Sequence, residues 1–378
     1  MKVGFGSARI TPSLPLTLAG FGARKGLVHE VHDNLEALAT VFQDGEKRLC
    51  LLVLDLLMMG SRFADTVRIA VAQALSIPFE SVMTSCTHTH SGPSGERSSR
   101  VIGWPVPEEY LDILVEGAVN AARAAVAMLE PARLTYAEGP LPDGLSINRR
   151  GHEYAPRFSV LDILRPDGDR VVTIANVAIH PVAAGITARA VSRDWPGAFR
   201  DALSAATGAP CVLLSGAIGD VNPARDPHDE PNAAGNWDSM TQLGQDVATA
   251  VLDLLPETRE MGDRLTSAHR VERIRAGVTI PALLSRTPLR RATVEFMEWS
   301  LGGVLLISLP GEAFHQLGVE VIAARGGQGT PVLLAAIAPQ WWGYLPCPWT
   351  QGYEEKMSYG RHFVDRVRAA LVAAPSIG

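Results

Sequence analysis

Ser81-Val82-Met83-Thr84-Ser85-Cys86-Thr87-His88-Thr89-His90-Ser91-Gly92-Pro93 joins an apolar run to two imidazoles and a glycine-proline turn. Residues 81–85 read as a short buried strand that the turn brings to an end. Strand side chains alternate between faces, so His88 and His90, two positions apart, are expected to point the same way. A histidine pair at a strand end can ligate one ion with both rings, or set one ligand beside one acid or base. The same pair can equally serve as turn residues bonded to local backbone.

Outward from this stretch, strand-like runs fall at 37–42, 48–54, 133–136, 170–177, 211–214, 303–308 and 332–336. Apolar residues at three- and four-residue spacing predict helices over 63–75, 108–128, 198–206, 241–255, 314–325 and 361–373. Strands alternating with helices define an α/β protein with mixed β-sheets layered with α-helices. Proline and glycine mark loops at 91–107, 222–236 and 339–352, and alternation around Val278 and Ile280 suggests an edge hairpin over 263–283. No internal repeat is evident, and no long polar linker divides the chain, so residues 1–378 are expected to form a single domain.

The chain has 378 residues, 47% hydrophobic and 20% charged, which suits a large buried core. Its net charge of -6 and lack of a basic cluster argue against nucleic acid as a partner. Apolar runs such as 51–59 are far shorter than the ~20 residues of a spanning helix, so no membrane insertion is expected. The N-terminus lacks the apolar stretch of a secretory signal, which points to the cytoplasm. Cys50, Cys86, Cys211 and Cys347 are scattered and form no Cys-x-x-Cys pair; each is expected to be reduced and buried.

Other strand ends carry chemistry too. The run 173–179 is followed by His180-Pro181, and the run 304–309 by Pro310-Gly311-Glu312. The strand at 211–214 leads into Ser215-Gly216-Ala217-Ile218-Gly219-Asp220-Val221-Asn222-Pro223, a turn that suits close approach by a ligand, or one in which Asp220 satisfies nearby amides. Two histidines and a glutamate on strand-end loops match the ligand set of a hydrolytic zinc site, which leaves a position for water. Such an ion would lower the pKa of its water to about 7.

Taken in order, these motifs resemble the N-terminal catalytic domain of the neutral/alkaline ceramidases, zinc amidases that cleave the N-acyl bond of ceramide. The resemblance is carried by Gly4-Phe5-Gly6-Ser7-Ala8-Arg9-Ile10-Thr11-Pro12 with Ala19-Gly20-Phe21, and by Thr87 to Pro93. It continues through Ile147-Asn148-Arg149, Ala178-Ile179-His180-Pro181, Ser192-Arg193-Asp194, Gly219 to Pro223, Pro310-Gly311-Glu312, Gly343-Tyr344 and Tyr353-Glu354. It implies zinc held by His88, His180, Glu312 and Tyr344, with His90, Arg149 and Tyr353 around the scissile amide and Asp194 behind them. Gly20 and Asn222 would face the substrate. Asn222 stands where ceramidases carry serine in this turn; asparagine can hydrogen-bond a substrate but is no nucleophile, so a zinc-water mechanism survives and a serine acyl-enzyme does not. The family's C-terminal immunoglobulin-like domain is not expected here.

Six of the seven tryptophans fall near these motifs. Trp104, Trp195 and Trp342 are expected to form part of an aromatic wall suited to a compact ring or short acyl group. The sequence thus predicts a cytoplasmic zinc-dependent hydrolase acting on the amide bond of a soluble small molecule. An esterase or lactonase on the same site, or a metal-containing binding protein, is the alternative. Oligomeric state is not legible.

Overall fold

Three open sheets are built on one plan. In the computed structural model, which describes residues 1–95, 106–152, 154–225, 235–277 and 291–373, the first sheet orders its main strands as Val82–Cys86, Lys47–Leu54, Glu36–Asp44 and Lys2–Arg9. The second follows as Cys211–Ser215, Arg170–Val177, Arg157–Leu164 and Arg133–Pro140, and the third as Val332–Ala336, Val304–Leu309, Arg291–Leu301 and Leu265–Arg275. In each, three antiparallel strands are followed by a helix that crosses to a fourth strand, parallel to the third. The crossing helices are α1 (Ser61–Leu75), α3 (Trp195–Thr207) and α5 (His315–Arg325). A further helix succeeds each unit: α2 (Glu108–Ala127), α4 (Trp237–Leu254) and α7 (Arg361–Val372), with the short α6 (Tyr353–Lys356) before the last. The repeat is one of topology, which is why the sequence shows none.

The local reasons are ordinary ones. Lys47–Leu54 is buried on both faces, as a strand must be when its sheet is covered on each side. Helix α1 buries Phe63, Ala64, Val67, Val71, Ala72 and Leu75 along one stripe. Helix α3 starts at Asp194, whose carboxylate accepts from the Trp195 amide, and stops at the left-handed Gly208. Strand Lys2–Arg9 escapes a periodicity reading because Gly4 and Gly6 lie where α2 presses on it; a Cβ on Gly6 would sit 2.4 Å from the Ala121 carbonyl. The expected hairpin over 263–283 is instead one edge strand, Leu265–Arg275, paired along its whole length with Arg291–Leu301; Val278 and Ile280 lie outside the described residues.

All three sheets contribute to a common core in which Leu51 and Met83 meet Ile174, Leu214, Leu306 and Leu333. The edge strands Val82–Cys86, Cys211–Ser215 and Val332–Ala336 lie against one another at its centre. Sheet edges carry unpaired amides and carbonyls, and burying them demands partners. Asn176 supplies three: its amide donates to the Leu214 and Leu334 carbonyls at 2.8 and 2.9 Å and accepts from the Leu334 N–H at 2.9 Å. Ser85 Oγ donates to the Ala336 carbonyl, Ser215 Oγ to that of Thr87 and Thr84 Oγ1 to that of Pro339. The four cysteines are free and buried. Asn176→Ala strands these backbone groups and is expected to lower stability by about 2–4 kcal/mol; a urea midpoint unchanged from wild type would refute the role given to this side chain.

Candidate active site

Because the parallel strand pairs of all three units end on the same side, their loops meet. Cys86 leads to His88 and His90, Val177 to His180, and Leu309 to Glu312. The strand ends at Cys86, two residues earlier than the expected common face for the histidines requires, and His88 takes a left-handed backbone at φ 70°. That conformation costs a non-glycine residue on the order of 1–3 kcal/mol. The His88 N–H to the Leu56 carbonyl holds it there. The rings converge all the same: His88, His90 and His180 have centroids 4.7 to 5.0 Å apart, and one nitrogen of each lies within 4.8 Å of the others.

Backbone carbonyls fix two of the tautomers. His88 Nδ1 lies 2.6 Å from the Leu57 carbonyl and His180 Nδ1 lies 3.1 Å from that of Ile218. A carbonyl only accepts, so both Nδ1 atoms carry protons and, in the neutral rings, both Nε2 atoms present lone pairs. Glu312 lies between them, with Oε2 3.3 Å from His88 Nε2 and 3.9 Å from His180 Nε2. Its other oxygen accepts from Trp341 Nε1 at 2.9 Å. His88 Nε2 and Glu312 Oε2 are buried with no hydrogen-bond partner among the described residues. Acceptors turned toward one another in a dry site need a shared proton or a cation between them. Imidazole nitrogens oriented by carbonyls, beside a carboxylate oriented by an indole, are the donor set of a metal site.

Tyr344 joins this set through the backbone. It is the direct partner of Glu312 in a two-stranded parallel ladder, which sets both side chains on one face. Burial, then the Glu312 carboxylate, holds its phenol well above the ordinary range. Arg149 donates to the Gly219 carbonyl at 2.5 Å, pairs with Glu354 at 2.9 Å and lies 5.8 Å from the centre of the Tyr344 ring. Tyr353, 57% exposed, sets its ring 5.9 Å from that of Tyr344. Gly20, Leu57, Met58, His88, His90, Glu312, Trp341, Tyr344, Tyr353 and Met357 line a cleft whose cavity of about 30 Å³ admits an ion or a water.

His90 is clamped from outside the loop that carries it. Its Nε2 lies 3.2 Å from His180 Nε2, its N–H donates to the Pro181 carbonyl, and its carbonyl accepts from Arg24 at 2.6 Å. Gly20, at φ 102°, lies so close that a Cβ there would be 2.4 Å from the imidazole; no other residue leaves the ring its space. Gly20 therefore touches His90 as well as the cleft. Asp194 is buried behind the site, accepting from the amides of Ala183, Ala184 and Trp195. It holds the loop that follows His180 and makes no hydrogen bond or ion pair with Arg149.

The aromatic wall does not form as expected. Trp195 is fully buried in the second unit's core, where its indole donates to the His180 carbonyl, and Trp342 packs against Tyr359 and Phe363 beneath the third sheet. Both occupy core positions because an indole offers more area for burial there than any other side chain. Trp341 faces the cleft in place of Trp342, and Trp104 lies outside the described residues. Asn222 sits in the short strand Val221–Pro223 opposite Ile147. Arg24 escapes a sequence reading, and two residues that stand in or beside the motifs take supporting roles the sequence does not assign: Trp341, and Glu354, which is buried and paired with both Arg149 and Arg150. Asp220 takes the satisfying role open to it, accepting from the His315 N–H and the Asn148 amide.

The fold and this cluster together define an α/β protein whose strand-end loops build a site fit to hold a metal ion. Residues 1–157 match the model of the N-terminal region of the neutral/alkaline non-lysosomal ceramidases. The chain is 29% identical over 160 residues to the neutral ceramidase of Mycobacterium tuberculosis, covering 39% of this chain and 25% of that one. It is 25% identical over 221 residues to the neutral ceramidase of Pseudomonas aeruginosa, covering 52% and 32%. The matched parts thus span a quarter to a third of those relatives. The crystal structure of the Pseudomonas aeruginosa neutral ceramidase superposes with a TM-score of 0.82 at 19% identity, over 98% of this chain and 73% of the other. A structure described as ceramidase complexed with C2 gives 0.83 at 18%, over 98% and 74%.

Burial, then the neighbouring His88, holds the His180 imidazole down to about 3 and that of His90 well below 6.5. Both must be neutral in the folded protein, so their contribution is lost as pH falls through 6.5. Asp194 acts oppositely: burial raises its carboxyl to about 6, and its contribution declines as pH rises from 3.8 to 6. Two histidines outweigh one aspartate, so the metal-free protein is expected to lose stability between pH 6.5 and 4.5. His180→Asn should flatten that slope and Asp194→Asn steepen it, as read by denaturant titrations across pH; stability that rises on acidification would contradict the assignment.

Proposed function

We propose that this protein is a zinc-dependent hydrolase that cleaves the C–N amide bond of a small molecule. The observation that carries the reading is the 3.3 Å approach of two buried, unpartnered acceptors, His88 Nε2 and Glu312 Oε2, beside a third lone pair on His180. His88, His180, Glu312 and Tyr344 would hold the ion. When bound, zinc supplies a Lewis acid that polarises a carbonyl and makes water nucleophilic at neutral pH.

The chain's own residues do the rest. His90, neutral and fixed by Gly20 and Arg24, would take a proton from water and return it to the leaving amine. Arg149, its side chain 25% exposed, would stabilise negative charge developing on the carbonyl oxygen. Tyr353 and Asn222 would hold the substrate, and Asp194 keeps His180 in place through the backbone. The match of residues 1–157 to the ceramidase family model supports an amide rather than another bond. We further take residues 1–378 as one domain, since the three units share a core, and favour the cytoplasm, since four free cysteines suit a reducing compartment. No helix among the described residues is long and apolar enough to cross a membrane.

His180→Ala and Glu312→Ala are each expected to empty the site of zinc, measured by metal analysis, and to abolish turnover. His90→Ala should keep its zinc and lose roughly 10²–10⁴ in kcat. Full zinc and activity in His180→Ala or Glu312→Ala would overturn the ligand assignment. A panel of matched amides and esters separates the amidase from an esterase or lactonase, and no turnover of either by the zinc-loaded protein would leave a binding protein.

A further inference from the structure

A second compartment adjoins the metal cleft. Asn148, His152, Asp220, His315, Gln316 and Trp349 enclose about 200 Å³, several times the cavity at the histidines. Two loops line both, with His315 three positions from Glu312 and Trp349 four from Tyr353, while Asn148 and Asp220 lie on the loops that carry Arg149 and Asn222. Neighbouring positions on shared loops thus build the metal cleft and this space.

The lining decides what this space can take. Among the described lining residues no side chain is aliphatic, so a fatty chain finds no apolar wall among them. The described lining holds no lysine or arginine either, so a phosphate or carboxylate finds no cation among these residues. The one carboxylate among the described lining residues, Asp220, is buried and occupied by the His315 N–H at 2.7 Å and the Asn148 amide at 2.8 Å, which leaves it a poor partner for an ammonium group. What remains is two imidazoles, two carboxamides and an exposed indole. Neither ring nitrogen of His315 has a hydrogen-bond partner among the described residues; Tyr154 meets the ring edge-on at 4.8 Å. Burial keeps that imidazole below its usual pKa, hence a neutral donor and acceptor. Trp349 is 57% exposed and borders this space, so its indole face is accessible to a ring.

We infer that this compartment is a subsite for an uncharged, polyhydroxylated ring of the substrate, stacked by its C–H face on Trp349 and hydrogen-bonded at its edge by His315, His152, Asn148 and Gln316. At 200 Å³ it is smaller than the ~300 Å³ at which drug-sized pockets begin, so it takes one ring. Resting on the amidase reading above, this makes the substrate class an amide that carries a sugar-like group, the simplest case being an N-acylated amino sugar.

The test uses the zinc-loaded full chain. Titration with N-acetylglucosamine, followed by calorimetry and tryptophan fluorescence, is expected to show saturable binding. Trp349→Ala should weaken that binding by roughly tenfold, with Trp349→Phe intermediate. Neither variant should change zinc content or the hydrolysis of a simple acetyl arylamide, while kcat/KM for sugar-bearing amides falls. Saturable binding without hydrolysis of any amide upholds the subsite and sinks the amidase reading. Hydrolysis of the arylamide with no sugar binding, or sugar binding indifferent to Trp349, overturns the subsite and leaves that reading standing. Preferential binding of tetramethylammonium or inorganic phosphate overturns it as well.

Discussion

Three sheet edges buried against one another are the constraint on which the molecule depends. A sheet edge in a core is tolerable only if its amides and carbonyls find partners, and here each unit lends side chains to the next. Asn176 spans from the second sheet to the third, Ser85 from the first to the third, and Ser215 from the second to the loop beyond the first. The three units are thereby locked at one angle and one depth.

The site is a consequence of that locking. Each unit ends its parallel strand pair on the same side, so the loops carrying His88, His180 and Glu312 meet wherever the edges meet. The arrangement is costly in isolation, with a left-handed His88, unpartnered lone pairs and histidines held neutral by burial. It persists because the loops are pinned from behind: Leu57 and Ile218 orient the imidazoles, Asp194 gathers the amides of the loop after His180, and Arg24 holds the carbonyl of His90. A cation at the centre would satisfy the lone pairs that the fold has turned inward.

Much of this is legible in the residues. Strands at 170–177 and 332–336 are read to the residue, and six of the helices fall within a few residues of their expected bounds. The main strands missed are those whose pattern serves something else: Lys2–Arg9 gives up side chains so that α2 can approach, and Arg157–Leu164 and Arg291–Leu301 are buried on both faces over much of their length and do not alternate. His88, His180 and Glu312 are legible because each follows an apolar run and adjoins a turn. The tryptophans mislead because indoles serve cores and clefts alike, and nothing local tells Trp341 from Trp342.

The sequence by itself determined the strand-helix alternation, the strand-end placement of the chemistry-bearing residues and the ceramidase resemblance they carry, since all of these rest on local pattern and motif. Only the tertiary structure decided that the chain is one unit built three times, that His88 and His90 converge through a left-handed turn rather than a shared strand face, that Glu354 clamps Arg149, and that Trp349 borders a polar compartment. Those facts depend on contacts between segments far apart in the chain, where packing and the pairing of buried polar groups choose the neighbour and local propensity has no say.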